Sequence, residues 1–338
     1  MPSLTVPEYY RPSERLSPQA EFSMVTIYPG EAVYSTFGHT AIRIRDPVPG
    51  IDLLYNYGQS SVPFDSGFVP NFVTGNLPFM LGVISSERAY SFYRSYEDRS
   101  IYEQRLDLTY GEKLRLYRFL DYNALPENRI YIYDFFYDNC TTRVRDLFTY
   151  LYGESLLYEA PVEQASYRKA IAPYFRASPF ILLGINLMFG LPSDREPATE
   201  DRFFLPFQLR DAVENAEIVD AGGGAAPRTE DSCDGSYSRD GVRLESGTRT
   251  IYMQQRDDPE PPPVGPSLLL WLLAGAALTV TALPQRRYAK AARALDILLF
   301  LLAGILGSAM VMLWSLSGYE MTTNNLNLFW AWPPHLIA

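Results

Sequence analysis

Two stretches near the C-terminal end contain no charged residue. Residues 267–283 read SLLLWLLAGAALTVTAL and residues 297–319 read ILLFLLAGILGSAMVMLWSLSGY. Neither shows the polar stripe of a helix that faces water on one side. A bilayer core about 30 Å thick takes about 20 helical residues. The pattern therefore predicts two transmembrane helices, at 264–284 and 296–318. The link between them, 285–295, holds Arg286, Arg287, Lys290 and Arg293, whereas Asp257, Asp258 and Glu260 precede the first run. Basic links stay on the cytoplasmic side. Residues 285–295 are thus expected to form a cytoplasmic turn, with everything before 264 and the tail 319–338 on the outer side. The tail, with NLNLFWAWPPHLIA, reads like the approach to a further span. Export of a large N-terminal domain needs a signal, and residues 1–30 contain no apolar run of that kind. The 338 residues are therefore expected to be a piece of a longer chain.

Upstream the periodicity changes. Residues 24–28, 39–45, 53–57, 79–84, 101–108 and 130–136 carry alternating or aromatic-rich strand patterns. Ser86 caps a helix with Ala89, Phe92, Tyr93 and Tyr96 on one face. Thr109 and Glu112 form a capping box for a helix to about Tyr122. A third helix starts near Asn139, carries Val144, Leu147, Phe148 and Leu151 on one face, and stops at Gly153. Strands and helices without βα alternation predict an α+β domain with an antiparallel sheet. It is expected over 20–220, after an extended segment 1–19. Residues 221–263, rich in Gly, Ser, Asp and Pro, read as a flexible tether.

Composition refines this outline. The chain is 47% hydrophobic, and its net charge is 29 − 39 = −10. The apolar content excludes a disordered chain, and the acidic balance argues against nucleic acid as a partner. Charged residues make up 20%, below the usual share of about 25%, and the uncharged runs account for most of the deficit. Two Cys and two His are too few for a disulfide scaffold or an ordinary zinc site. There is no phosphate-binding glycine loop, so no cofactor or metal is expected.

The scarce residues point to chemistry. Cys233 falls in the tether and His335 follows the second span, which leaves Cys140 and His39 inside the folded domain. Cys140 follows Asp138 and Asn139, either of which can cap the helix and place the cysteine in its first turn. There the helix dipole and free N–H groups favour a thiolate, and the same N–H groups can line an oxyanion hole. His39 begins a strand after Gly38, where it can serve as the base. A third group should orient its imidazole. Asn56 is the choice and Tyr57 the alternative, because strand parity alone does not separate them. A buried structural thiol and a strand histidine are the plain alternatives.

These segments resemble a known family. The pieces Phe37-Gly-His-Thr40, Tyr55-Asn-Tyr-Gly58, Tyr131-Ile-Tyr-Asp134 and Asp138-Asn-Cys-Thr-Thr-Arg-Val-Arg-Asp146 are similar to the Lnb-type bacterial envelope proteins, as are Gly190-Leu-Pro-Ser-Asp194 and Phe204-Leu-Pro206. The resemblance implies a periplasmic domain on a circularly permuted papain-like (NlpC-like) fold, followed by inner-membrane helices. It implies lipoprotein N-acyltransferase activity, with a phospholipid as acyl donor, a diacylglyceryl lipoprotein as acceptor and membrane lipid around the spans. Carried over, Cys140 is the nucleophile and His39 the base, in inverted order relative to papain. Two competing readings are a membrane-tethered cysteine hydrolase of peptidoglycan peptides and a non-catalytic envelope scaffold. The oligomeric state is open.

Overall fold

Central strands with apolar residues at both parities build a sheet with two covered faces. In the computed structural model, residues 5–12, 14–61, 68–158, 165–198, 200–219, 242–282 and 285–336 are described. In chain order the strands are β1 (Glu21–Ile27), β2 (His39–Asp46), β3 (Ile51–Ser60), β4 (Pro78–Ser85), β5 (Ile101–Leu106), β6 (Ile130–Ile132), β7 (Leu156–Tyr158), β8 (Ala216–Ile218), β9 (Val242–Arg243) and β10 (Glu245–Tyr252). The α-helices are α1 (Phe68–Thr74), α2 (Ser86–Ser95), α3 (Tyr110–Asn123), α4 (Cys140–Tyr152), α5 (Tyr167–Ile171), α6 (Pro179–Met188), α7 (Pro206–Glu214), α8 (Pro266–Ala282) and α9 (Gln285–Leu316). They fall into two compact units. One comprises residues 1–68, 77–164 and 197–257, the other 69–76, 165–196 and 258–338.

The first unit is α+β, as expected. Its main sheet runs β10-β5-β1-β2-β3-β4-β6 with every pair antiparallel. Phe22, Met24, Ile42, Ile44, Tyr55 and Tyr57 point to one face and pack with Leu116 and Leu120 of α3, Val144 and Phe148 of α4, and Leu209 of α7. Residues of the opposite parity, Val25, Ile27, Ala41 and Leu54, meet Ala89 of α2 on the other face. A one-residue slip would exchange these sets, so the two apolar layers fix the register. A smaller sheet, β7-β8-β9, is also antiparallel.

Several expected boundaries move. The cap of α2 is Ser85, whose Oγ accepts from Arg88 N, rather than Ser86. The strand expected over 130–136 ends at Ile132. Asp134 Oδ1 accepts the N–H groups of Phe136 and Tyr137, which turns the chain where a ladder would otherwise continue. Of the expected tether, residues 221–241 lie outside the described residues. Residues 242–243 and 245–252 are strands, and β10 closes the sheet edge against β5. Thr248, Thr250, Ile251 and Tyr252 supply the β-forming residues there.

The second unit contains the apolar helices. At 32 residues, α9 is about 48 Å long, and its 288–316 portion is long and apolar enough to cross a bilayer. At 17 residues, α8 lies at the short limit. The cytoplasmic turn expected over 285–295 is instead the first turns of α9. Arg, Lys and Ala are strong helix formers, and no Gly or Pro interrupts them. The tail packs back along α9. A Cβ on Gly307 would collide with the Ala331 carbonyl oxygen, and one on Gly304 would lie 2.8 Å from Leu336 Cγ. Two small residues one turn apart open a groove along α9, and the chain returns into it. His335 consequently packs edge-on against Phe300, at 4.9 Å between ring centroids.

Candidate active site

Helix α4 starts from a fully used cap. Asn139 Oδ1 accepts the N–H of Thr141 (2.7 Å) and of Thr142 (2.9 Å), and Thr142 Oγ1 accepts Asn139 N at 2.8 Å. Asn139 Nδ2 donates to the carbonyls of Phe135 (2.6 Å) and Phe204 (3.0 Å). A buried amide with all these bonds satisfied holds the helix start rigidly. It sets Cys140 at the first helical position, partly buried.

The strand side brings His39 to the same place. Gly38 has φ +85°, and a Cβ there would lie 2.6 Å from the Ile27 carbonyl oxygen, so only glycine lets the chain enter β2 at this point. His39 Nε2 lies 3.3 Å from Asn56 Oδ1. Asn56 is buried, and its Nδ2 donates to the Leu54 carbonyl at 3.2 Å. That bond fixes the amide so that its oxygen faces the imidazole. Because an amide oxygen only accepts, the proton sits on Nε2. Tyr57, the alternative third residue, points to the opposite face, where it is fully buried and its hydroxyl donates to Asn123 Oδ1 at 2.6 Å. Strand alternation separates the two, and the structure brings Asn56 to the imidazole.

The thiol responds to this neighbourhood. Burial pushes the Cys140 pKa up. The charge of His39, a hydrogen bond with its ring, a backbone hydrogen bond from Thr40 and the Thr141 hydroxyl outweigh burial and hold it below the ordinary thiol value. Thr141 Oγ1 lies 3.9 Å from the sulfur and 3.2 Å from Thr40 Oγ1. A lowered thiol beside an oriented imidazole is the arrangement that nucleophilic attack on a carbonyl requires.

The expected oxyanion donors need correction. The N–H groups of Thr141 and Thr142 are occupied by the cap, so they do not face a substrate. Tyr131 of β6 was legible only as part of a motif, and the structure brings its hydroxyl near the site. Its hydroxyl is buried and without a hydrogen-bond partner among the described residues. Burial raises the phenol well above its usual pKa, with Arg143 opposing and Cys140 adding to the rise, so it remains protonated. Gly58, with φ +91°, sits between the two. A Cβ there would lie 3.5 Å from Cys140 Cβ and 4.0 Å from Tyr131 Oη. Arg143 clamps the tyrosine, with its guanidinium 3.6 Å from the ring centroid and bidentate to Asp138 at 2.5 and 2.7 Å. The signal for Tyr131 was an aromatic strand whose hydroxyl direction one sequence does not reveal. Aromatic rings lie nearby: Tyr93 is 6.5 Å from the imidazole, and Phe37, two residues before His39, packs tilted at 4.5 Å against Phe135. Cys233 lies outside the described residues. Among the described residues, no group of three or more His, Cys, Asp or Glu is arranged to hold a metal ion.

Comparison with known proteins gives two matches. Residues 13–171 match the Lnb N-terminal periplasmic domain, and residues 258–338 match the Lnb transmembrane domain. No curated protein and no solved structure matches the chain.

Proposed function

The chain belongs to the Lnb family, a periplasmic domain joined to a transmembrane domain in the cell envelope, and from that premise we propose that it is a cysteine-dependent acyltransferase of the inner membrane that N-acylates lipoproteins. The observation that carries this reading is the Cys140–His39–Asn56 constellation, with its lowered thiol and its aromatic surroundings. Nucleophile at a helix start and base on a strand follow the papain plan in permuted order.

In the first half-reaction, His39 Nδ1 takes the thiol proton, and the sulfur attacks an ester carbonyl of a phospholipid. The Tyr131 hydroxyl and the Cys140 N–H donate to the oxygen that becomes negative. The C–O bond breaks, the departing alkoxide takes the proton back from His39, and a lysophospholipid leaves. The acyl chain is now a thioester on Cys140. In the second half, the α-amine of a diacylglyceryl-cysteine attacks that thioester and gives a proton to His39. The C–S bond breaks, and the thiolate is reprotonated. Two substrates reacting in turn give ping-pong kinetics. Aromatic walls suit an acyl chain better than a charged peptide, which favours this chemistry over peptidoglycan hydrolysis.

The test is mass spectrometry of the membrane-inserted protein incubated with phospholipid alone. One acyl group should appear on the peptide containing Cys140, disappear on adding acceptor lipoprotein, and be absent in Cys140→Ala. An unacylated Cys140 in protein that still alkylates rapidly, or release of muropeptide fragments, overturns the reading.

A further inference from the structure

Helix α6 has a surface that water does not suit. Its ten residues, PFILLGINLM, include one polar side chain and no charge, and none of them is buried. Phe180 and Ile181 are 47% and 42% exposed. A helix apolar on all sides belongs in a core or in lipid. Here the protein supplies no core around it.

Its C-terminal end is sealed by side chains. Arg168 donates to the carbonyls of Asn186 (2.9 Å), Phe189 (3.2 Å) and Gly190 (3.4 Å), with Asp194 balancing its charge. Leu187 O accepts from Asn325 Nδ2 at 2.7 Å and Asn327 Nδ2 at 3.2 Å. The last carbonyls of a helix normally turn to water. Here side-chain donors take the place of water, so the backbone at this end of α6 is satisfied within the protein.

The surroundings identify the occupant. Helix α6 lies in the same compact unit as α8 and α9 and packs against α8. The asparagines that seal it follow the Leu316 end of α9, which lies on the periplasmic side because α8 descends from a periplasmic domain. Ten residues reach about 15 Å, half of a hydrocarbon core.

We propose that α6 is a monotopic membrane element, embedded in the periplasmic leaflet beside the spanning helices, with lipid acyl chains as its partner. It falls in neither family match and serves to hold residues 165–196 at the bilayer.

Site-directed spin labelling tests this. Single labels go at Phe180→Cys, Ile181→Cys, Leu301→Cys on α9 and Glu154→Cys on the first unit, with Cys140 and Cys233 changed to Ser. The protein sits in phosphatidylethanolamine/phosphatidylglycerol vesicles. The ratio of oxygen to nickel-chelate collisions at 180 and 181 should match that at 301, and should exceed that at 154 by about tenfold, as expected for hydrocarbon against water. A ratio like that of Glu154 overturns the proposal. So does protection from both reagents at 180 and 181, which would mean that protein, for example a second copy of this chain, covers the helix.

Discussion

Leucine behaves in opposite ways in the two units. In the first, Leu54, Leu116, Leu120, Leu147 and Leu209 are fully buried. In the second, Leu268 to Leu273 of α8 and Leu298 to Leu302 of α9 are about half exposed, with no polar stripe to offset them. The difference lies in the solvent each surface was selected for. Against water, exposed leucine is a cost and a folded unit hides it; against acyl chains it carries no penalty. The proposed chemistry belongs to the first unit, where buried polar groups are brought together. Activity and membrane residence should therefore break separately.

The largest effect expected within that unit comes from His39→Ala. With the imidazole gone, burial acts on the Cys140 thiol unopposed by its strongest counterweight. The pKa must then rise, so less thiolate exists at any pH below it. The pH profile of iodoacetamide alkylation should move to higher pH, and acyl transfer should fall by about 10²–10⁴-fold as for loss of a general base. Membrane insertion should be unchanged. An unaltered alkylation profile would dissociate the thiol from the histidine.

Tyr131→Phe should have a smaller and more selective effect. The hydroxyl has no partner to lose, so thermal stability should hold. Alkylation of Cys140 should also persist, because the thiolate is not what the hydroxyl serves. Turnover should drop by about 10²-fold, the scale of one oxyanion donor. Parallel losses in stability and turnover would make Tyr131 a packing residue.

Much of this site is legible in the residues alone. His39 and Cys140 stand out because their residue types are scarce, and Asn139 because a cap must precede a helix. Asn56 against Tyr57 needs strand parity, which the pairing of Ile42 with Tyr55 supplies. Tyr131 and Gly58 are hidden for another reason: they matter through what lies across from them, and a strand pattern reports faces, not partners. The misread segments share a cause as well. Residues 245–252 look loop-like by composition, but they gain order from the free edge of β5. Residues 285–295 look like a turn by charge, yet they hold strong helix formers.

The smallest predicted effects lie in the membrane unit, where exposure has the reverse meaning. A methyl group added at Gly275 of α8 would meet nothing within 4 Å, whereas one at Gly307 would collide with the Ala331 carbonyl oxygen and lie 2.7 Å from its carbon. Gly275→Ala should therefore be neutral or stabilising by less than about 1 kcal/mol, the helix-propensity difference. Gly307→Ala must push the returning chain off α9, at about 1–3 kcal/mol for an overpacked site. Thermal unfolding in detergent micelles measures both. If the two variants melt together, the tail does not lie in the groove of α9.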